Sequence, residues 1–115
     1  MTDPHCLFCR IAAHEVAADI VTETDLALAF RDVAPQAPTH VLVIPREHSP
    51  TLPELAETHP HSAVAVLALA RRVAQDEGVD GGYRVVFNNG PGAQQTVFHA
   101  HVHVLGGRDF TWPPG

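Results

Sequence analysis

Three histidines alternate with small or apolar residues near the C-terminal end of this chain, in the run His99-Ala100-His101-Val102-His103-Val104-Leu105. Period-two alternation is the pattern of a strand with one buried face. At about 3.3 Å per residue, the imidazoles would stand on one side about 6.6 Å apart. Ala100, Val102 and Val104 take the other side and can enter a core. A buried imidazole brings two nitrogens that need partners, so three on one face point to chemistry rather than packing. Two kinds fit. One is a nucleophile for phosphorus with helpers, because neutral imidazole forms covalent intermediates. The other is a metal site, because neutral imidazole is a common ligand. The interleaved apolar residues exclude an affinity tag.

A second constellation is Cys6-Leu7-Phe8-Cys9. A redox-active pair at this spacing expects a strand before it, and too few residues precede Cys6 to make one. In a cytosolic chain a structural disulfide is not expected either. The spacing reads better as half a zinc site, with the other ligands drawn from the nine histidines.

The 115 residues allow one domain, 1–115, with one core. An apolar fraction of 45% is ordinary for a globular protein. No apolar run is long enough to span a bilayer, and the start has neither a basic region nor an apolar signal core, so the expected location is cytoplasmic. The formal charge of −6, with seven scattered cations that are all arginine, argues against nucleic acid as a partner. A small phosphate held by amides and imidazoles stays open, and no membrane partner is expected.

The elements that must position these groups follow from pattern. A short helix is expected from Cys6 to Ala13, then strands at Ile20-Val21 and from Leu26 to Arg31 around the turn at Glu23-Thr24-Asp25. Pro35 and Pro38 require a loop, since proline removes a ladder donor, and His40 to Ile44 is an apolar strand ended by Pro45. Thr51-Leu52-Pro53-Glu54 fits a capping box. The long helix spans His61 to Glu77, with Val66, Leu69, Ala70 and Val73 on one stripe and Gly78 placed to end it. Val64 and Leu67 widen that stripe toward the sheet and a partner. Strands at Tyr83 to Phe87 and Thr96 to Leu105 follow, joined by a Gly/Pro/Asn-rich loop. Several strands beside one long helix make an α+β meander.

The triad is preceded by Asn88-Asn89-Gly90-Pro91-Gly92-Ala93-Gln94-Gln95-Thr96-Val97-Phe98 and followed by Gly106-Gly107-Arg108, and the chain closes on Trp112-Pro113-Pro114-Gly115. Upstream stands Phe30-Arg31-Asp32-Val33-Ala34-Pro35-Gln36-Ala37-Pro38-Thr39-His40. These segments, from about Cys6 to Gly115, resemble the histidine-triad (HIT) family and in particular its Hint branch of nucleoside phosphoramidases, in the zinc-carrying bacterial form. The resemblance implies an antiparallel sheet with one long helix and a two-fold dimer whose sheets join. It implies hydrolysis of purine nucleoside 5′-phosphoramidates (AMP or GMP conjugates) or acyl-nucleotides through a nucleotidyl-histidine intermediate. Hydrolysis of dinucleoside polyphosphates and a non-catalytic nucleotide-binding scaffold are the alternatives. A metallo-oxygenase built on His-x-His is weak, since few ligands remain nearby to complete it.

By the same resemblance His101 is the nucleophile, His103 a donor to phosphate or leaving group, and His99 an orienting group. His40 is the fourth histidine of the site, and Thr96 stands where Hint proteins usually have Ser. Asp32 would bind the ribose hydroxyls and Asn88 the phosphate. Phe8, Ile11, Phe30, Val33 and Leu42 would make the base pocket. The loop from Gly90 to Gln95 would offer amides to phosphate, with Gln95 in the nucleotide site and Gln94 where the pattern more often has Gly. Cys6, Cys9, His48 and His99 would hold a structural zinc, and no organic cofactor is implied.

Overall fold

The computed structural model describes residues 2–115. Cys6 caps α1 (Leu7–Ala12), its Sγ accepting from the Cys9 amide. Strands β1 (Ile20–Glu23), β2 (Ala27–Arg31) and β3 (Thr39–Pro45) then run as antiparallel neighbours. Helices α2 (Leu52–Thr58) and α3 (Pro60–Asp76) follow, then β4 (Tyr83–Val86), a 3-10 turn at Pro91–Ala93 and β5 (Val102–Gly106). The sheet order is β1-β2-β3-β5-β4, so the first three strands meander and β5 inserts between β3 and β4.

Every residue of β3 is buried, because both faces of the sheet are covered, and this is why the segment reads as an unbroken apolar run. On one face Ala27, Ala29, Val41, Val43, Val102 and Val104 pack against Val66, Leu69, Ala70 and Val73 of α3. On the other, Leu28, Phe30, Leu42 and Ile44 pack against Phe8, Ile11 and Ala12 of α1. Leu42 pairs with His103 and His40 with Leu105, which puts His40 and His103 on the α1 face.

Thr51 caps α2 by accepting from the Glu54 amide at 3.3 Å, as the capping box requires. Gly78 ends α3 at φ +73°, where the Gly78 and Val79 amides donate to the Gln75 and Ala74 carbonyls. Without a Cβ, glycine takes this left-handed position at little cost. Val64 and Leu67 do not join the sheet-facing stripe of α3; they are 65% and 54% exposed.

The strand expected from Thr96 begins only at Val102. The reason is local. The Pro45 carbonyl accepts from the His99 imidazole at 2.8 Å, the His99 carbonyl accepts from the His101 imidazole at 2.7 Å, and the Ala100 amide donates to the Ser49 carbonyl. Groups that a longer ladder would pair are taken by side chains and a loop. The facing pattern survives, with Ala100 buried among Leu55 and Ala63 while His99 and His101 turn toward Phe8.

Candidate active site

β5 with the arm that enters it and the start of β3 bring four imidazoles together, and their hydrogen bonds fix which nitrogen carries each proton. A carbonyl accepts only, so His101 is protonated on Nδ1 and its Nε2 is bare. By the same logic His99 is protonated on Nε2, against the Pro45 carbonyl, and its Nδ1 is bare. His40 Nδ1 accepts from the Gln36 amide at 3.0 Å, so its proton sits on Nε2. That Nε2–H faces His103 Nδ1 at 2.9 Å and Asp32 Oδ2 at 3.4 Å. His103 Nδ1 therefore accepts, and His103 Nε2 keeps the N–H. One bare nitrogen on His101 stands beside one N–H on His103, with ring centroids 5.2 Å apart.

Burial keeps these rings neutral. It pushes His101 down, opposed by the carbonyl bond at Nδ1 and by the charge of Asp32. It pushes His103 down to about 4, reinforced by His101 and His40 and opposed by Asp32. His40 also falls through burial, again with Asp32 opposing. A neutral imidazole with a bare nitrogen is a competent nucleophile at neutral pH.

His101 and His103 line a cavity of about 720 Å³ with Thr96, Asp32 and an apolar wall, a size that suits a small-molecule ligand. The wall includes Phe8, Ile11, Phe30 and Leu42, and the Phe8 ring stands edge-on to His101 with centroids 5.1 Å apart. Asp32 is oriented by the Ala34 amide, which donates to Oδ1 at 2.8 Å.

A second cluster lies behind His101. Cys6, Cys9, His48 and His99 offer donor atoms that all lie within 4.8 Å of one another. His48 Nδ1 and His99 Nδ1 are 3.2 Å apart, and the Sγ atoms of Cys6 and Cys9 stand 3.4 and 3.5 Å from His99 Nδ1. A tetrahedral zinc with N and S ligands has edges of about 3.3 to 3.8 Å, given its bond lengths. The bare His99 Nδ1 faces this centre, and backbone amides of Asp3 and Cys9 donate to the sulfurs. Burial pushes the Cys9 thiol up to about 11, so a cation is what would hold it as thiolate. The four side chains fit a closed metal site.

Residues 13–110 match the HIT domain. The chain belongs to the HIT domain family. A maize (Zea mays) protein named 14 kDa zinc-binding protein is 44% identical over 117 residues, covering 100% of this chain and 91% of the relative. An Arabidopsis thaliana protein named adenylylsulfatase HINT1 is 41% identical over 116 residues, covering 99% of this chain and 79% of the relative. The crystal structure of a HIT family hydrolase from Legionella pneumophila Philadelphia 1 superposes with a TM-score of 0.91 at 47% identity, covering 96% of this chain and 100% of that one.

Within this HIT domain the residues singled out from sequence do not all reach one place. His40 stands behind His103, and His99 is fully buried in the cysteine cluster. Val33 is on the cavity rim and fully exposed. Asn88 and Gln95 are outside the cavity lining. The Gln95 side-chain amide is fully engaged, accepting from the Gly90 amide of its own loop and donating to the Pro50 and Val97 carbonyls. The amides of Ala93, Gln94 and Gln95 also bond inside that loop, because the 3-10 turn needs them, so these three are not open to a phosphate as the resemblance implied. Gln94 sits at φ +67°, ψ 29°, a left-handed position that explains why glycine suits it.

Sequence reading missed Val16, Ala17, Ala18 and Asp19, which wall the cavity ahead of β1; the small apolar run before a strand was the available signal. It also missed the Gln36 amide and the Pro45 carbonyl, which set two tautomers. As backbone groups they leave no mark in residue type.

Proposed function

We propose that this HIT protein hydrolyses purine nucleoside 5′-phosphate conjugates, phosphoramidates first among them, through a nucleotidyl-His101 intermediate. The observation that carries this is the bare His101 Nε2 beside the His103 N–H in one cavity with Asp32. The Nε2 lone pair attacks phosphorus, the P–N bond breaks and its electron pair leaves with the amine, which takes the Nε2 proton of His103 once that ring is doubly protonated. Water then attacks phosphorus, returning a proton to His103 Nε2 as its hydroxyl joins phosphorus, the P–Nε2 bond breaks and the nucleoside monophosphate departs.

In this reading Asp32 accepts from the ribose hydroxyls, and Phe8, Ile11, Phe30, Val33 and Leu42 hold the base. The Thr96 hydroxyl donates to a phosphate oxygen, and Asn88 reaches phosphate from the neighbouring loop. Gln95 contributes by shaping that loop. His99 orients His101 through its carbonyl, and His40 fixes His103. Zinc held by Cys6, Cys9, His48 and His99 would supply a fixed fold and no reaction chemistry. The protein would act in the cytoplasm as a two-fold dimer joined through its sheets. In support of this, β4 is an edge strand with Val85 and Phe87 exposed on or beside it. No helix among the described residues is long and apolar enough to cross a membrane.

The name of the Arabidopsis relative favours a second substrate of the same class, adenylyl sulfate, whose leaving group needs no proton. Turnover on an adenosine 5′-phosphoramidate, adenylyl sulfate and diadenosine polyphosphates decides among them. The expected order in kcat/KM places the phosphoramidate above the polyphosphates; the reverse order overturns the proposal.

A further inference from the structure

Asp32 faces two directions. Its Oδ1 is held by the Ala34 amide at 2.8 Å, while its Oδ2 stands 3.4 Å from His40 Nε2. The carboxylate, the His40 nitrogen and the His103 nitrogen all lie within 4.8 Å of one another. We propose that Asp32, besides meeting the ribose, is the counter-ion that lets the His40–His103 pair, neutral at rest, take up the leaving-group proton from solvent. The proposal rests on the hydrolase reading above and gives Asp32 a second duty within it.

The need for a counter-ion follows from the tautomers. A neutral His103 is a poor acid, because giving up its only proton would leave an imidazolate. The pair must therefore carry one extra proton when an amine departs. His40 cannot take it on Nδ1, since that atom accepts from the Gln36 amide. The proton must go to His103 Nδ1, where it meets the His40 Nε2–H across 2.9 Å. Two N–H groups face to face are tolerable only beside an anion that accepts them. Asp32 is that anion, and with its side chain only 18% exposed its charge is weakly screened.

The other charges around the pair do not substitute. His101, on the same arm, opposes protonation of His103. From α1 the site meets the phenyl ring of Phe8. The guanidinium of Arg31 is bound by Glu77 from α3 and lies near Asp19. Arg108 donates to the Gln36 carbonyl. Burial pushes both His40 and His103 toward the neutral form, and Asp32 is the one group that raises both.

A metal held by Asp32, His40 and His103 is the rival reading, but His40 Nε2 carries a proton aimed at His103 Nδ1 and offers no lone pair to a cation.

The step balances. His103 Nε2–H goes to the leaving nitrogen as the P–N electron pair departs, and the pair becomes neutral. The water that opens the nucleotidyl intermediate returns a proton to His103 Nε2, and its hydroxyl stays on phosphorus. Asp32 keeps its charge throughout.

The test is Asp32→Asn in the full chain, which removes the charge and retains an oxygen for ribose. Two AMP probes differ in proton demand: an alkylamine phosphoramidate and the p-nitrophenyl ester, whose phenolate leaves unprotonated. KM rises by the same factor for both through the ribose. The expected kcat falls about tenfold more on the phosphoramidate than on the ester, the effect of about one pKa unit on the acid. In ligand-free protein the His103 titration, followed by nitrogen NMR, moves to lower pH. Equal kcat losses on the two probes, or an unmoved His103 titration, overturn the proposal. Wild type that hydrolyses neither probe would instead sink the hydrolase reading, and the titration would still decide the counter-ion.

Discussion

Two histidine clusters meet in the arm from His99 to His103, and they are built on opposite logics. Around Asp32, His40 and His103, one chain of donors runs from the Gln36 amide through His40 to His103. Around Cys6, Cys9, His48 and His99, sulfur and nitrogen donor atoms gather within 4.8 Å of one another, three of them 3.2 to 3.5 Å from the bare His99 Nδ1. The first arrangement suits proton transfer, and the second suits a cation. For the histidines they share, residue type does not distinguish the two. What does is the partner of the second ring nitrogen: a backbone carbonyl leaves the other nitrogen bare, as on His99 and His101, and a backbone amide does the opposite, as on His40. His99 joins the clusters, because its ring faces the sulfurs while its carbonyl holds His101.

The sharpest way to break this contrast is His101→Asn. Turnover should fall by roughly three or more orders of magnitude, since the covalent step is lost, while AMP affinity, read by calorimetry, stays close to that of wild type. A variant that keeps most of its kcat would remove the nucleophile from the proton-handling side.

Next in size is the double variant Cys6→Ser, Cys9→Ser. Elemental analysis of wild type should find about one zinc per chain. The variant should bind none and melt lower by roughly 10 °C or more, because metal affinity is folding free energy in such sites. Its turnover at low temperature should persist. Activity that disappears with the metal and returns on adding it would make the two clusters one reaction centre.

A third effect comes from acid. Burial holds His103 down to about 4 against an ordinary value of 6.5. The unfolded chain therefore binds more protons between those values, and stability must fall as pH drops from about 6.5 toward 4. The melting temperature of wild type should decline across that window, and His103→Gln should flatten the decline. An equal slope in both proteins would show that His103 is not held neutral by the fold.

The smallest effect is at Gln94. A left-handed residue with a side chain costs about 1 kcal/mol or more, and glycine avoids this while giving up some chain entropy. Gln94→Gly should raise the melting temperature by a few degrees. A lower melting temperature would mean that the Gln94 side chain contributes more to the loop than its backbone costs.

The long helix was legible because Val66, Leu69, Ala70 and Val73 repeat with the period of one buried stripe, and Gly78 can end it. The short apolar strand at His40 to Ile44 was legible because both its faces are covered. The pairing of β5 between β3 and β4 was not, since strand order depends on contacts far apart in sequence. Nor was the late start of β5, which turns on where the His99 and His101 side chains find carbonyls.

Sequence by itself determined the chemical inventory: three alternating histidines, a fourth after a proline-rich loop, two cysteines at helix-turn spacing and one carboxylate between strands. Spacing along a chain also set which of these share a face. Only the tertiary structure decided the protonation pattern. An imidazole's reactive nitrogen is chosen by what its other nitrogen touches, and here those partners are backbone groups of Gln36, Pro45 and His99. Every residue carries the same amide and carbonyl, so their assignment appears only once the chain has folded.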